Sequence, residues 1–266
     1  MSRHRFFLEE QLPGAGVREA VQLPLSAADV HHAVSVLRVR PGEELDVVEP
    51  GGLVWHVRVA AAGLDALSAT LLGPIASTCS DLGFVTLVFG ISKGSKNDDI
   101  VEGAVEVGAA RILPVITARS IVKLDADKVA ERGARWRRVA LAAAKQSKRV
   151  SVPEVSDPAS FEVILPELAG YDLVIVAWEE SGVSARGVRD AVAHVLAAAT
   201  PPADAVIHVA VVVGPEGGFT AEEIAALETI GAVPVTLGAT ILRAETAAVV
   251  ATALVIHELG GLGNAR

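Results

Sequence analysis

The feature that most constrains this chain is an apolar run that stops at a glycine-rich turn. Residues 206–213 read VIHVAVVV, and GPEGG follows at 214–218. Thr220 and Glu223 then have the three-residue spacing of a helix capping box. Strands that are apolar on both faces and separated by helices are typical of a parallel sheet that helices cover on both sides. The run therefore predicts an α/β fold with ligand-binding loops beyond the carboxyl ends of its strands.

The same order of elements repeats directly afterwards. Residues 233–237 predict a second short strand, residues 238–244 a loop, and Glu245 the approximate start of an apolar helix. Because both loops follow strands, we expect them at one edge of the sheet, where they can line one pocket. Strands and helices also alternate upstream, from Phe84 onward. The predicted strands are 84–90, 110–116 and 171–178, and the predicted helices are 97–108, 127–147 and 184–199.

The first 73 residues have a different pattern. Short alternating runs at 45–48, 53–59 and 67–72, separated by turns rich in Pro and Gly, predict a small antiparallel β-barrel. One helix, from its N-cap Ser26 to about Leu37, interrupts the barrel. The expected parts of the chain are a barrel domain at 1–73, a linker at 74–81 and an α/β domain at 82–266.

Composition excludes several classes of protein. Hydrophobic residues make up 51% of the 266 residues, which is too many for a disordered chain. The single cysteine, Cys79, excludes an internal disulfide, and the seven histidines lack ligand spacing, so we expect no metal. The sequence has no signal peptide pattern and no apolar run of the roughly 18 residues that a membrane span needs. We therefore expect a cytoplasmic globular protein.

The distribution of charge indicates a nucleic acid partner in spite of a net charge of −9. Residues 131–149 contain seven Lys or Arg against one acid, with Trp136 among them. Affinity for nucleic acid depends on contacts to phosphate, so a local basic face matters more than the sum of the charges. This segment could carry such a face on an otherwise acidic protein.

The GPEGG turn does not match the common phosphate-binding loops. No Lys-Ser or Lys-Thr pair follows it, and it lacks the Gly-x-Gly-x-x-Gly spacing of a dinucleotide site. Its glycines still let a ligand approach backbone amides, and the pairs 237–238 and 241–242 would supply the apolar walls and polar backbone groups that an adenine ring needs. The alternative is a tight structural turn. Glu216, at the end of a buried strand, must be solvated, paired or used.

Arg243 is the other residue that the pattern leaves unexplained. It stands between the apolar pair 241–242 and the start of a helix with almost no charge. Its guanidinium therefore needs an anionic partner or a ligand. The alternative is a structural ion pair with Glu245 or Glu216.

These motifs together resemble a known family. GPEGGFTAEEI followed by LGATILRAETAAVVA is similar to the C-terminal motifs of the SPOUT-class RNA methyltransferases, and specifically of the ribosomal small-subunit RNA uridine-N3 methyltransferases called RsmE. HHAVSVLRVRPGEE resembles the PUA-like RNA-binding domain of that family. KGSKNDDIVEGAVEVGAARILPV and KQSKRVSVPEV resemble two of its further segments. Val107, where the family usually has leucine before glycine, is a conservative departure.

The resemblance implies a fold, a cofactor and partners. The fold would be a SPOUT-type parallel sheet with a deep trefoil knot, next to a PUA-like β-barrel. The cofactor would be S-adenosylmethionine, and the partners would be small-subunit ribosomal RNA or the assembled subunit and a second copy of the chain, near whose interface the site is completed. The cofactor-binding residues would be Gly214, Pro215, Gly217, Gly218, Leu237, Gly238, Ile241, Leu242 and Ala244.

The same resemblance gives roles to charged residues. Arg243 would stabilise the anion that develops on the uridine as its N3 proton leaves, and Glu216 would either orient Arg243 or accept that proton. Basic side chains on both domains would contact phosphates. The predicted RNA-binding residues are Arg3, Arg5, His31, Arg38, Arg40, Lys93, Lys96, Arg119, Arg132, Arg135, Arg138 and Arg149.

Three other functions stay open at the level of sequence. A non-catalytic RNA-binding or ribosome-assembly protein would keep the barrel and use the larger domain as a platform. A different methyltransferase of the same class would act on another RNA or on a ribose 2′-hydroxyl. An enzyme acting on nucleotide phosphates is the least favoured, because no lysine or magnesium-binding carboxylate cluster accompanies the GPEGG turn.

Overall fold

The computed structural model describes residues 3–13, 20–75, 83–120, 125–178, 186–198 and 206–263. The chain divides into two compact units. The first contains residues 1–79 together with Ala144–Ser151, and the second contains the remainder. The predicted linker lies outside the described residues except for its first two positions, which belong to a strand. Residues 144–151, which the sequence predicted as part of the larger domain, pack with the first unit.

The first unit is built on a mixed β-sheet. Within the described residues its strand order is β1-β3-β4-β5-β2. Its elements are β1 (Arg5–Phe7), β2 (Val21–Gln22), α1 (Ala27–His31), a π-helical turn (His32–Val36), β3 (Glu44–Val48), β4 (Val54–Ala62) and β5 (Leu67–Ile75).

The sheet of the first unit curls until its edges meet. Strands β3, β4 and β5 pair antiparallel, as predicted, but β1 runs parallel to β3, which the sequence pattern did not indicate. The backbone N–H of Glu9, after β1, donates to the carbonyl of Pro24, after β2, at 2.8 Å. This bond joins the segments that follow the two edge strands, and Leu45, Val57 and Leu67 are buried in the apolar core of the unit.

The helix of the first unit begins where the capping pattern placed it. The Ser26 hydroxyl accepts the N–H of Asp29 at 3.1 Å, which confirms Ser26 as the N-cap. Beyond His31 the backbone widens into the π-helical turn, and Leu37 donates to the carbonyl of His32 at 2.9 Å. The predicted helical span is therefore occupied by two helix types.

Residues 144–151 are held to the first unit by charge. Lys145 forms an ion pair with Asp29, a residue that is only 8% exposed. The Arg5 guanidinium donates to the carbonyls of Lys148 and Arg149. Removal of Lys145 would leave the mostly buried charge of Asp29 without a partner, which is destabilising.

The second unit is organised on a parallel sheet. Its strand order in the described part of the chain is β11-β13-β10-β12-β6-β7-β8, with β9 also pairing with β7. Its elements are β6 (Gly83–Gly90), α2 (Lys96–Val107), β7 (Arg111–Ile116), α3 (Ala126–Gln146), β8 (Glu154–Val155), β9 (Ala159–Ser160), α4 (Phe161–Leu168), β10 (Leu173–Ala177), β11 (Arg186–Gly187), α5 (Val188–Ala198), β12 (Ile207–Val213), α6 (Ala221–Thr229), β13 (Val233–Thr236) and α7 (Ala244–Glu258).

Helices bury both faces of this sheet, as the apolar strands predict. On one face, Val212 belongs to a core cluster with Leu168 of α4 and Leu227 of α6. On the other, α7 packs against β6, β12, α2 and α5. Val211 and Val255 are both fully buried. No helix in the described ranges combines the length and the apolar character of a membrane span.

The carboxyl ends of the central strands lie side by side. Ala177 of β10 is in register with Val213 of β12, and Val213 is in register with Phe89 of β6. The chain after β12 turns across the end of β6, where a Cβ on Gly90 would lie 2.3 Å from the Cδ of Pro215. Only glycine permits this approach. The loop after β6 and the loop after β12 are therefore brought together at one edge of the sheet.

We expect Glu223 to stabilise the segment that follows the GPEGG turn. Its buried carboxylate accepts the N–H of Thr220 at 2.9 Å and the N–H of Ala118, after β7, at 2.8 Å. Glu223→Ala leaves both donors without a partner and should lower the free energy of unfolding by about 1–3 kcal/mol. Urea denaturation measures this change. Glu228→Ala, at an exposed position on the same helix, should change it by less than about 0.5 kcal/mol, and equal losses would contradict the role.

Candidate functional site

A pocket of about 680 Å³ opens at the carboxyl edge of the sheet in the second unit. Its walls come from the ends of β10, β12 and β13, from the loops after β12 and β13, and from the first turn of α7. All of the predicted cofactor residues except Gly217 line it. The lining residues that the sequence did not single out for the cofactor are Lys96, Arg119, Ala177, Trp178, Val213, Glu216, Phe219, Val235, Thr236, Ala239, Thr240, Arg243, Glu245 and Ala247.

The loop after β12 is a tight turn fixed by an arginine. Gly218 donates its N–H to the carbonyl of Pro215 at 2.8 Å, and Arg119 donates to the carbonyl of Gly217 at 2.9 Å. Arg119 was predicted as a phosphate contact. The structure places it on the pocket wall, where it braces the turn that carries Glu216.

The loop after β13 leaves its backbone open. Gly238 has a φ of +125°, a conformation that side-chain-bearing residues rarely adopt, so it sets the direction of the loop. For residues 239–242 the structure records no hydrogen bond to any described residue. The Ile241 side chain is 82% exposed. Unpaired polar backbone beside exposed apolar surface at a pocket is the composition of a ligand-binding wall.

Lys96 forms an ion pair with Glu216. Asn97 fixes the start of α2, because its side chain accepts the N–H of Ser92 at 2.9 Å and donates to the carbonyl of Ser92 at 2.8 Å. The hydrogen bond to Glu216 raises the pKa of Lys96 above its usual value, and the charge of Glu245 adds to the rise. Lys96 was predicted as a phosphate contact and instead neutralises a carboxylate at the pocket.

Arg243 is exposed and makes no recorded ion pair or hydrogen bond through its guanidinium in the part of the chain that the structure describes. The alternatives of an ion pair with Glu245 or Glu216 are therefore not observed. Glu216 has Lys96 as its partner. One carboxylate oxygen of Glu245, Oε2, is buried without a hydrogen-bond partner. Two residues that line the pocket thus have a charged group without a recorded partner in the described part of the chain, namely the guanidinium of Arg243 and one buried carboxylate oxygen of Glu245.

The remaining side chains that were predicted to contact RNA differ in whether they already have a partner within the protein. Arg3 and Arg5 both pair with Asp46, and the Arg5 side chain is only 9% exposed. Arg135 pairs with Asp98 at 2.5 Å, and Arg149 has partners of its own. Side chains for which the described residues provide no recorded partner are those of His31, Arg38, Arg40, Lys93, Arg132 and Arg138.

Sequence reasoning missed two contributions to the pocket. Trp178 follows β10 at the same sheet edge, and the position of an aromatic residue at the end of a buried strand is a signal that could have identified it. Lys96 comes from a helix more than a hundred residues away from the loops, and no local pattern indicates that pairing. No group of three potential metal ligands occurs in the described ranges.

Comparison with known proteins decides the family. Residues 80–256 match the model of an RNA methyltransferase domain, and residues 25–72 match that of an RNA methyltransferase PUA domain. Ribosomal RNA small subunit methyltransferase E of Bacillus subtilis is 31% identical over 254 residues, which is 96% of each chain. The chain belongs to this methyltransferase family. The match to the methyltransferase domain includes every residue that lines the pocket.

Solved structures of other family members have the same fold. Ribosomal RNA small subunit methyltransferase E from Neisseria gonorrhoeae, bound to S-adenosylmethionine, is 29% identical with a TM-score of 0.78, over 96% of this chain and 98% of that one. A methyltransferase from Legionella pneumophila, also in complex with S-adenosylmethionine, is 26% identical with a TM-score of 0.78, over 97% and 98%. The methyltransferase E fold thus extends across both units of this chain.

Proposed function

We propose that this protein transfers a methyl group from S-adenosylmethionine to N3 of a uridine in small-subunit ribosomal RNA. The observation that carries the proposal is the pocket at the sheet edge, where an open backbone loop lies beside an unpaired arginine. Membership of the methyltransferase E family supports the choice of RNA and donor. The substrate places the reaction in the cytoplasm.

The residues of the pocket fit S-adenosylmethionine. Ile241 and Leu242 offer apolar surface for the adenine, and the N–H groups of residues 239–242 have no acceptor among the described residues, so a ligand can satisfy them. A volume of about 680 Å³ is in the range of small-molecule sites. When bound, the cofactor supplies a methyl group already activated on a sulfonium.

Activation of the uridine then falls to the protein. N3 becomes nucleophilic only as its imide proton leaves, and the negative charge spreads onto O2 and O4. Arg243 stands at the pocket with its guanidinium free to meet that charge. A single donor of this kind contributes on the order of 3 kcal/mol to transition-state stabilisation. Arg243 is thus the residue that we assign to the developing anion.

The proposal includes a knotted chain and a homodimer. From β13, on one side of the sheet, the chain returns through the loop 237–243 to α7, which packs against the central strands β6 and β12. That return path supports the trefoil knot of SPOUT enzymes. The homodimer enters the proposal from the family resemblance, since the chain belongs to the methyltransferase E family.

Binding of S-adenosylmethionine should protect the open loop from hydrogen exchange. Without it, the amides of residues 239–242 should exchange at nearly the rate of an unstructured chain, because they lack acceptors. Saturating S-adenosylmethionine should slow them, while the buried amides of β12 should not change. Exchange monitored by mass spectrometry measures both. Protection in β12 alone would place the ligand elsewhere.

Arg243→Ala should slow methyl transfer strongly while cofactor binding remains. Loss of about 3 kcal/mol predicts a rate lower by about 100-fold. Mass spectrometry of ribosomal RNA from cells lacking the enzyme should show N3-methyluridine after expression of the parent protein and almost none after expression of the variant. Arg189→Ala, an exposed arginine of α5, is the control. Methylation of transfer RNA or of a ribose instead would favour the other methyltransferase functions.

RNA binding should weaken with salt, because phosphate contacts dominate it. Arg138→Gln, at an exposed position without a recorded partner, should reduce the slope of log Kd against log salt by about 0.7–0.9. Arg58→Gln removes the same charge from an arginine paired with Glu44 and should leave the slope unchanged. A parent Kd that does not depend on salt would exclude phosphate-dominated recognition.

A further inference from the structure

We propose that Glu245, and not Glu216, accepts the N3 proton of the uridine. The inference rests on the proposed function and adds the proton acceptor to it. The observation that carries it is that Glu245 lines the pocket while one of its carboxylate oxygens, Oε2, is buried and has no hydrogen-bond partner among the described residues. Such an oxygen needs a donor, and an imide N–H is a donor of the right chemistry.

The two pocket carboxylates differ in their availability. Glu216 is engaged by Lys96 in an ion pair. Glu245 lies in the first turn of α7, and its Oε2 has no hydrogen bond to any group in the described residues. A buried hydrogen-bond acceptor without a donor costs free energy. The position of Glu245 at a ligand pocket therefore points to a donor that arrives with the substrate.

Cationic groups lie around Glu245. Lys96 is close enough that the Glu245 carboxylate contributes to the raised pKa of Lys96. Arg243 is two residues away on the same loop–helix junction, and the amino end of α7 adds its own positive potential. Glu216 and Arg119 are the other charged groups that line this pocket. Glu245 therefore lines the same pocket as Arg243, whose guanidinium would meet the negative charge of the uridine.

In the proposed step, one proton moves from the uridine to Glu245. The N3–H bond breaks and the proton forms an O–H bond with Oε2 of Glu245, which becomes a neutral carboxylic acid. The electron pair of the broken bond stays on N3 and forms the new bond to the methyl carbon, while sulfur retains the pair of the bond that breaks. Arg243 faces the charge on O2 or O4 during this exchange.

Glu245→Gln tests the assignment because it keeps the shape of the side chain and removes the base. The turnover number with small ribosomal subunits should fall by about 100-fold or more, whereas the Kd for S-adenosylmethionine, measured by calorimetry, should stay within about threefold. The residual rate should rise by about tenfold per pH unit, because hydroxide must then remove the proton. Glu228→Gln, on the exposed face of α6, is the control.

A second variant separates proton transfer from a structural effect. Glu245→Ala should regain part of its rate when formate is added, and Glu216→Ala should show no such rescue. Retained turnover in Glu245→Gln, loss of cofactor binding in that variant, or rescue confined to Glu216→Ala would overturn the inference. Failure of the parent protein to methylate the subunit would instead overturn the proposed function.

Discussion

The site depends on a sheet that is buried on both faces. Because α4 and α6 cover one face and α7 covers the other, a polar side chain in the middle of a strand would be buried without water. Charged groups can therefore be placed only where the strands end. The loops after β10, β12 and β13 end at the same edge, and this confines the pocket to one location.

The local parts of this arrangement could be predicted from the sequence. The strand of β12, the capping box of α6 and the N-cap Ser26 depend on neighbouring residues, and each occurs as predicted. The predicted cofactor residues came from the family resemblance, and all of them except Gly217 line the pocket. Helix α4 was missed because it has only eight residues and contains Pro166, which resembles a break in a helix.

Contacts between distant residues could not be predicted. The pairing of Lys96 with Glu216 joins positions 120 residues apart, and it changes a presumed phosphate ligand into a pocket residue. The same applies to Arg5, whose neighbours come from the far end of α3. Sequence analysis therefore identified the basic residues that are candidates for phosphate contacts. Only the structure separates the basic side chains that pair with other residues of the protein from those that have no recorded partner.

The discontinuous first unit limits how the protein can be divided. A fragment ending near Ile75 would keep every strand of the RNA-binding sheet but would lose Lys145 and the carbonyls of residues 148 and 149. Asp29 would then lose its ion pair with Lys145, and the Arg5 side chain would keep only Asp46 as a recorded partner among the described residues. The compact first unit is thus longer than its continuous sequence, and a fragment that keeps all of its contacts must also contain residues 144–151.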